Sequence, residues 1–560
     1  MSPRRVIDLL HKEVRGLHEA AYLLAFFTFG SQLFALVRDR MLAHSFGTGE
    51  TLDVFYAAFR IPDTMYAFLA SMVSLFVLIP FLEAAGKEGL PALKAFLSDM
   101  FSFFSFALIG VGGIAWLFAP QLVELLYSGF SPTMQADLVP MIRILLLQPL
   151  LLGISNLFAA YVQIRGRFLL YAIAPILYNI GIIIGILFLQ PLFGTNGLAW
   201  GVVLGAVLHL GVQTPFMVTN NMLPRLTMPN WRRVYEVVRI SIPRTITLTA
   251  QQVVVLVMIA LASRYVAGSV SAFSFAWNLQ SVPLAIIGVS YSVAAFPKLS
   301  RLFGNGETEE YKNLILVATR QILFWAIPAV VFIVVLRAQI VRVVLGSGAF
   351  DWDATKMTAA ILALLALSLV AQGVTVLLVR ACYAAGKTKI PLMITAVSSI
   401  LTIVLAVVSL HLTSRGMVDL TWLADIMRVS GVLSTEVLLI AISYSIGSMV
   451  TAALLFIHFE RASPPFSRGL FSTFWQSIVS ALVAGFATYL ALNLITKFVQ
   501  LDTLFGIGVQ GLLAGIVGVC VWTVVLVSLG NKDIVVAWTA LQKKLTKTRI
   551  EEVRGSIEGV

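Results

Sequence analysis

Apolar runs recur along this chain, each long enough to cross a bilayer and most of them separated by short polar links. They lie at 19–43, 54–82, 95–126, 138–164, 168–190, 196–219, 237–263, 270–297, 313–345, 355–385, 389–412, 434–458, 473–497 and 504–530. A membrane-crossing helix needs roughly 20 consecutive apolar residues. The pattern therefore predicts about fourteen helical spans and almost no soluble domain.

The links test that count independently, because Lys and Arg gather in cytoplasmic loops and avoid external ones. The rich loops carry Lys87 and Lys94; Arg165 and Arg167; Arg225, Arg232 and Arg233; Lys298, Arg301 and Lys312; Lys387 and Lys389; and Arg461 and Arg468. The loops between them at 44–52, 127–136 and 191–195 hold no Lys or Arg. Arg415 and Arg428 are the main exceptions, in a longer external loop. An even number of spans with both termini cytoplasmic fits this alternation. The N-terminus is basic (Arg4, Arg5, Lys12, Arg15) and runs into a long apolar segment, which reads as a retained first span rather than a cleavable signal.

Composition agrees with the pattern. The 560 residues are 59% hydrophobic and 12% charged, against roughly 45–50% and 25% in soluble domains. The net charge of +12 sits in short loops, which points to membrane topology rather than nucleic acid. Cys382 and Cys520 both lie in apolar stretches and lack metal-ligand spacing, so neither a metal nor a disulfide framework is expected. No phosphate-binding loop, HExxH, GxSxG or CxxC pattern occurs, which leaves ATP-driven pumping and common hydrolytic chemistry without support, and no cofactor is expected.

Two pairs of segments match internally. YAAFRIPDTMYAFLASMVSLFVLIP from Tyr56 and FSFAWNLQSVPLAIIGVSYSVAAFP from Phe273 end on the same proline, and a basic turn follows each. YVQIRGRF from Tyr161 matches CYAAGKTK from Cys382 in pattern. With an even number of spans between copies, the two six-helix halves run parallel, as in one class of transporter.

Ionisable side chains within spans are costly and mark function by default. They concentrate in the first hairpin: Arg38, Asp39 and Arg40, then Asp53, Arg60 and Asp63. With the connecting loop centred near residue 48, Arg38 lies ten residues before it and Arg60 twelve after. At about 1.5 Å per residue the two differ in depth by less than one helical turn. Two guanidinium groups at one depth could cradle a phosphate or pyrophosphate, because the planar fork binds phosphate oxygens in pairs and stays protonated when desolvated. The competing reading is that these charges neutralise one another and pin the hairpin. Arg143, Arg244, Arg320 and Arg380 also fall within spans. Most of them fit side chains reaching to the interface, whereas Arg244, after Pro243, marks a place where a broken helix would open toward a cleft. His209 and Glu436 are lone groups whose neighbours would satisfy them.

At the first hairpin a resemblance becomes specific. SQLFALVRDRMLAHSFGTGETLDVFYAAFRIPD resembles the opening of the MurJ (MviN) family of lipid II flippases. GSVSAFSFAWNLQSVPLAIIGVSYSVAAFPKLS is similar to that family's eighth span, and CYAAGKTKIP to one of its turns. The likeness extends along almost the whole chain. It carries the family's essential cavity arginine and the following aspartate onto Arg38 and Asp39, its second-span aspartate onto Asp53, and a basic residue onto Arg60. It departs at Gln32, Tyr66, Ala67, Ser71, Met72 and Asn278, where the family has arginines or Glu-Gly, and sodium-binding residues have no match in spans 7, 11 and 12.

The resemblance implies an all-α polytopic membrane protein of the multidrug/oligosaccharidyl-lipid/polysaccharide exporter superfamily, MurJ/MATE-like. The expected layout is a cytoplasmic N-terminus (1–18), two six-helix lobes (19–225 and 226–460) around a central cavity, spans 13 and 14 (461–532), and a cytoplasmic tail (533–560). The expected function is translocation of lipid II across the cytoplasmic (inner) membrane by alternating access, without enzymatic chemistry. Arg38 and Arg60 would hold the pyrophosphate and Asp39 and Asp53 would position them. Gln32 and Asn278 would meet sugar or peptide, and Arg244 is a further candidate. Spans 13 and 14 would line a groove for the polyprenyl tail. Membrane lipids and cell-wall synthesis enzymes are the expected partners. The alternatives are a flippase for another polyprenyl-pyrophosphate glycan, a drug or metabolite antiporter, and a non-transporting cell-wall scaffold.

Overall fold

Long apolar stretches leave the backbone no partner but itself, and the chain answers with helices throughout. The computed structural model describes residues 17–72, 75–432, 434–462, 466–499, 503–531 and 533–534, and contains no strand among them. The expected cytoplasmic N-terminus and tail therefore fall almost wholly outside the described residues.

Eleven helices among these residues are long and apolar enough to cross a membrane. The pair Trp352–Ala366 and Leu369–Ala384, bent by 45°, makes twelve if taken as one span. These match the twelve expected runs from 95–126 onward. The first two expected spans fall outside that set. Leu17–Phe46 is a single helix of 30 residues. The described residues of the run 54–82 lie in Glu50–Ala58, Arg60–Met72 and Leu75–Glu88, and the first two are separated at Phe59. Length and composition alone thus do not reach fourteen.

The chain divides into two compact units: Met1–Ala276 with Val344–Ile361 and Thr388–Tyr444, and Trp277–Val343 with Leu362–Lys387 and Ser445–Val560. In the first, Phe168–Ile184 packs on both Leu17–Phe46 and Thr195–Gly211, while Arg60–Met72 packs on Trp231–Ala262. Glycines at every fourth position bring two of these helices to backbone contact. A Cβ at Gly181 would lie 2.3 Å from the Gly205 Cα, and one at Gly201 would lie 2.5 Å from the Gly185 Cα. Small residues at this spacing drive close packing where lipid supplies no hydrophobic force between helices. A π-helical turn, Gly185–Leu189, follows Phe168–Ile184 at the same contact.

In the second unit, Phe324, Ala484, Trp522 and Leu526 form a buried cluster that ties Thr308–Leu345, Arg468–Ile495 and Leu504–Ser528 together. Asp533, just past the last helix, accepts from Arg320 Nη2 at 3.1 Å, Gln321 Nε2 at 2.9 Å and Thr473 Oγ1 at 3.3 Å. Arg320 is thus ion-paired.

The turns that matched in sequence adopt one helix-ending motif. Gly166 and Gly386 have φ of +68° and +69°. Arg167 N–H donates to Val162 O at 3.0 Å and Lys387 N–H to Cys382 O at 2.9 Å. Gly166 and Gly386 N–H reach Gln163 and Tyr383 carbonyls. This is the six-to-one and five-to-two pattern that a left-handed glycine completes. Trp231–Ala262 runs unbroken through Pro243, so the expected opening beside Arg244 is not present.

Candidate functional site

Leu17–Phe46 carries Arg38 and Asp39, and the helix packed on it, Phe168–Ile184, carries Asn179. Arg38 Nε and Nη2 donate to Asp39 Oδ1 at 2.9 and 2.7 Å, and Nη1 donates to Asn179 Oδ1 at 2.9 Å. The Asn179 amide is oriented for this, since its Nδ2 donates to the Pro175 carbonyl at 3.0 Å and leaves Oδ1 to accept. A guanidinium has five N–H donors. Three are engaged here, and one on each Nη remains. Asp39 is buried, whereas the Arg38 side chain is 19% exposed, which leaves it reachable by a ligand.

Phe59 interrupts the helix between Ala58 and Arg60, so Arg60 starts a new helix. Its Nε donates to the Tyr56 carbonyl at 3.2 Å. Among the described residues the Arg60 Nη atoms carry no ion pair. Buried Tyr56 lies within range of the charges of Arg38, Asp39 and Arg60. Tyr127 is likewise near Arg60, and Tyr178 near both Arg38 and Asp63. The Tyr56 hydroxyl is buried without a hydrogen-bond partner among the described residues. Tyr66 accepts a hydrogen bond from Asn156 Nδ2. The result is a basic pair set among buried and half-buried tyrosines and amides within one unit, with guanidinium donors able to grip an anion.

Asp53 serves elsewhere than beside an arginine. Its Oδ2 accepts from Gly268 N–H at 2.8 Å and its Oδ1 from Ser271 N–H at 2.7 Å. It thereby caps Ser269–Leu284, where orphan N–H groups and the helix dipole favour a carboxylate. Asp53→Ala is expected to lower stability by roughly 2 kcal/mol, with Asp53→Asn milder. Thermal unfolding in detergent measures both, and an unchanged midpoint for the alanine variant would contradict the cap.

The other expected residues are spread more widely. Gln32 is half-buried on Leu17–Phe46, two turns before Arg38. Arg244 is half-buried on Trp231–Ala262. Asn278 belongs to the second unit, and its carbonyl accepts from Ser281 Oγ at 2.7 Å. Arg143 lies 4.4 Å over the Trp116 ring and donates to the Trp116 carbonyl, and His209 Nδ1 meets Ser155 Oγ at 2.7 Å. Sequence reasoning passed over Asn179 and Tyr56. An asparagine in the otherwise apolar PILYNIGIII was a readable signal, since such amides are unfavourable in lipid without a partner.

The family model and the sequence relatives point to one family. Residues 42–509 match the family described as "Lipid II flippase MurJ". A probable lipid II flippase MurJ of Rhizobium tropici is 29% identical over 391 residues, covering 66% of this chain and 71% of that one. The lipid II flippase MurJ of Burkholderia cenocepacia is 27% identical over 394 residues, with 68% and 75% covered. A solved lipid II flippase MurJ in an inward closed conformation superposes with a TM-score of 0.73 at 20% identity, covering 92% of this chain and all of that one. An inward-facing multidrug transporter of the MATE family gives 0.63 at 14%, covering 78% and 95%. At these identities the two solved structures establish the fold, an all-helical one with many membrane-length helices. The family match covers most of the chain, and the chain belongs to the lipid II flippase MurJ family.

Proposed function

We propose that this chain carries lipid II across the cytoplasmic membrane by alternating access, with both termini on the cytoplasmic side. The halves 19–225 and 226–460 are the moving parts, and the opening hairpin completes fourteen spans. The observation that carries the reading is the state of Arg38. It is fixed by Asp39 and Asn179 yet retains one N–H on each Nη and partial exposure. A pyrophosphate offers paired oxygens to such a fork, and Arg60 supplies a second cation within the same unit. In this reading Gln32 meets sugar hydroxyls through its amide. Asp39 positions Arg38, and Asp53 acts through the helix it caps.

The second unit, taken by itself, contains an apolar cavity of about 690 Å³ lined by Leu323, Val374, Met449, Phe456, Phe471 and Phe474 among others. Its chemistry suits an isoprenoid chain, for which each buried methylene contributes about 0.8 kcal/mol.

Replacement in a strain depleted of its own lipid II flippase tests the proposal. The wild-type chain is expected to sustain growth and prevent lipid II accumulation. Arg60→Ala is expected to slow transport roughly tenfold or more, since a hydrogen bond to a charged group contributes ~1.5–3 kcal/mol. Failure of the wild-type chain to relieve lipid II accumulation, despite folded membrane insertion, would reject the substrate.

A further inference from the structure

We propose that a basic cleft in the first unit, formed by Lys94, Ser98, Arg225 and Arg233, binds the phosphate of an anionic phospholipid. The cleft has a volume of about 630 Å³, enough for a phosphoglycerol headgroup. Three cations line it, Lys94, Arg225 and Arg233, against one carboxylate, Asp99.

That carboxylate is already engaged. Asp99 Oδ2 accepts from Arg233 Nη1 at 3.1 Å, and Oδ1 accepts from Asn230 N–H at 2.9 Å. Among the described residues Lys94 and Arg225 have no ion-pair partner, so the cleft keeps two uncompensated charges. The segment bearing Arg225 is held in place by the helix Leu90–Leu117. Arg225 N–H donates to Ser98 Oγ at 3.1 Å, Thr227 N–H donates to Ser102 Oγ at 2.9 Å, and Ser102 Oγ donates to the Arg225 carbonyl at 3.3 Å. Both flanks of Arg225 are thus fixed, and its exposed side chain is presented at little ordering cost.

The surroundings favour a lipid over a soluble anion. Leu226, Met228, Trp231 and Tyr235 stand exposed beside the cleft, Met228 by 80%. Aromatic and apolar side chains next to Lys and Arg are the signature of the membrane interface, where basic pockets between helices hold lipid headgroups. A phosphate in the cleft would leave its acyl chains along these side chains. This site makes no use of Arg38 or Arg60.

The test compares the intact purified protein with Lys94→Gln/Arg225→Gln in nanodiscs of mixed phosphatidylglycerol and phosphatidylcholine, reading bound lipid by native mass spectrometry. Ser98, Asp99 and Arg233 are retained so that the segment stays anchored. The wild-type chain is expected to select phosphatidylglycerol, and the double variant to lose about 25-fold of that preference, two interfacial cations each contributing a factor of about five. For the wild type alone, raising salt from about 0.1 to 0.5 M is expected to weaken the preference as the charges are screened, which keeps the proposal testable if the variant folds poorly. Undiminished preference in a folded variant, or indifference of the wild type to salt, would overturn the site. Displacement of the lipid by millimolar inorganic phosphate would overturn its assignment to a lipid.

Discussion

Replacing Arg38 with alanine is expected to abolish growth in cells that depend on this chain for lipid II transport. Two losses combine. The two free N–H donors of Arg38 would each contribute ~1.5–3 kcal/mol to an anionic head, so transport should fall by roughly a hundredfold or more. Arg38 also donates to the buried Asp39 carboxylate from Nε and Nη2, and losing these charge-assisted hydrogen bonds lowers stability by roughly 1.5–3 kcal/mol. The double variant Arg38→Ala/Asp39→Ala separates the two. It is expected to restore folded protein in the membrane without restoring growth. Arg38→Lys keeps the charge but not the fork, and should support growth poorly. Growth of the double variant at the wild-type rate would mean that Arg38 serves only to neutralise its neighbour.

Gly201→Leu is expected to damage the fold severely. A Cβ at this position lies 2.5 Å from the Gly185 Cα and 3.1 Å from its nitrogen. The obstacle is backbone, which cannot rotate away. The helices Phe168–Ile184 and Thr195–Gly211 would have to separate, and with them the neighbouring contacts at Gly181 and Gly205. Overpacking typically costs about 1–3 kcal/mol, and a backbone clash places this variant at the upper end. Because Asn179 is on the displaced helix, its hold on Arg38 would loosen as well. The measurement is the yield of monodisperse protein and its thermal midpoint in detergent. Gly201→Ala should show a smaller loss, and a wild-type midpoint for Gly201→Leu would contradict the packing.

The apolar runs made most of the architecture readable, because a span is defined by length and hydropathy, and twelve of them reappear as helices of the right size. The opening hairpin was harder for a physical reason. Its charges and its break at Phe59 dilute the very signal that identifies a span. Those same charges made Arg38 and Arg60 visible as candidates. Their partners were not visible. The resemblance implied that Asp53 would position the arginines, but Asp53 meets the start of Ser269–Leu284, more than two hundred residues away. Only tertiary structure reveals that contact. The spacing of Gly181, Gly185, Gly197, Gly201 and Gly205 is a close-packing motif legible in the sequence, but only the fold shows that the two glycine stretches face each other.

Translocation of labelled lipid II in proteoliposomes containing the purified chain tests the central claim most directly. The wild-type protein is expected to expose lipid II to an external reagent from the opposite leaflet. Arg38→Ala/Asp39→Ala, equally folded and equally reconstituted, is expected to leave it protected. Equal exposure by both proteins would contradict the account.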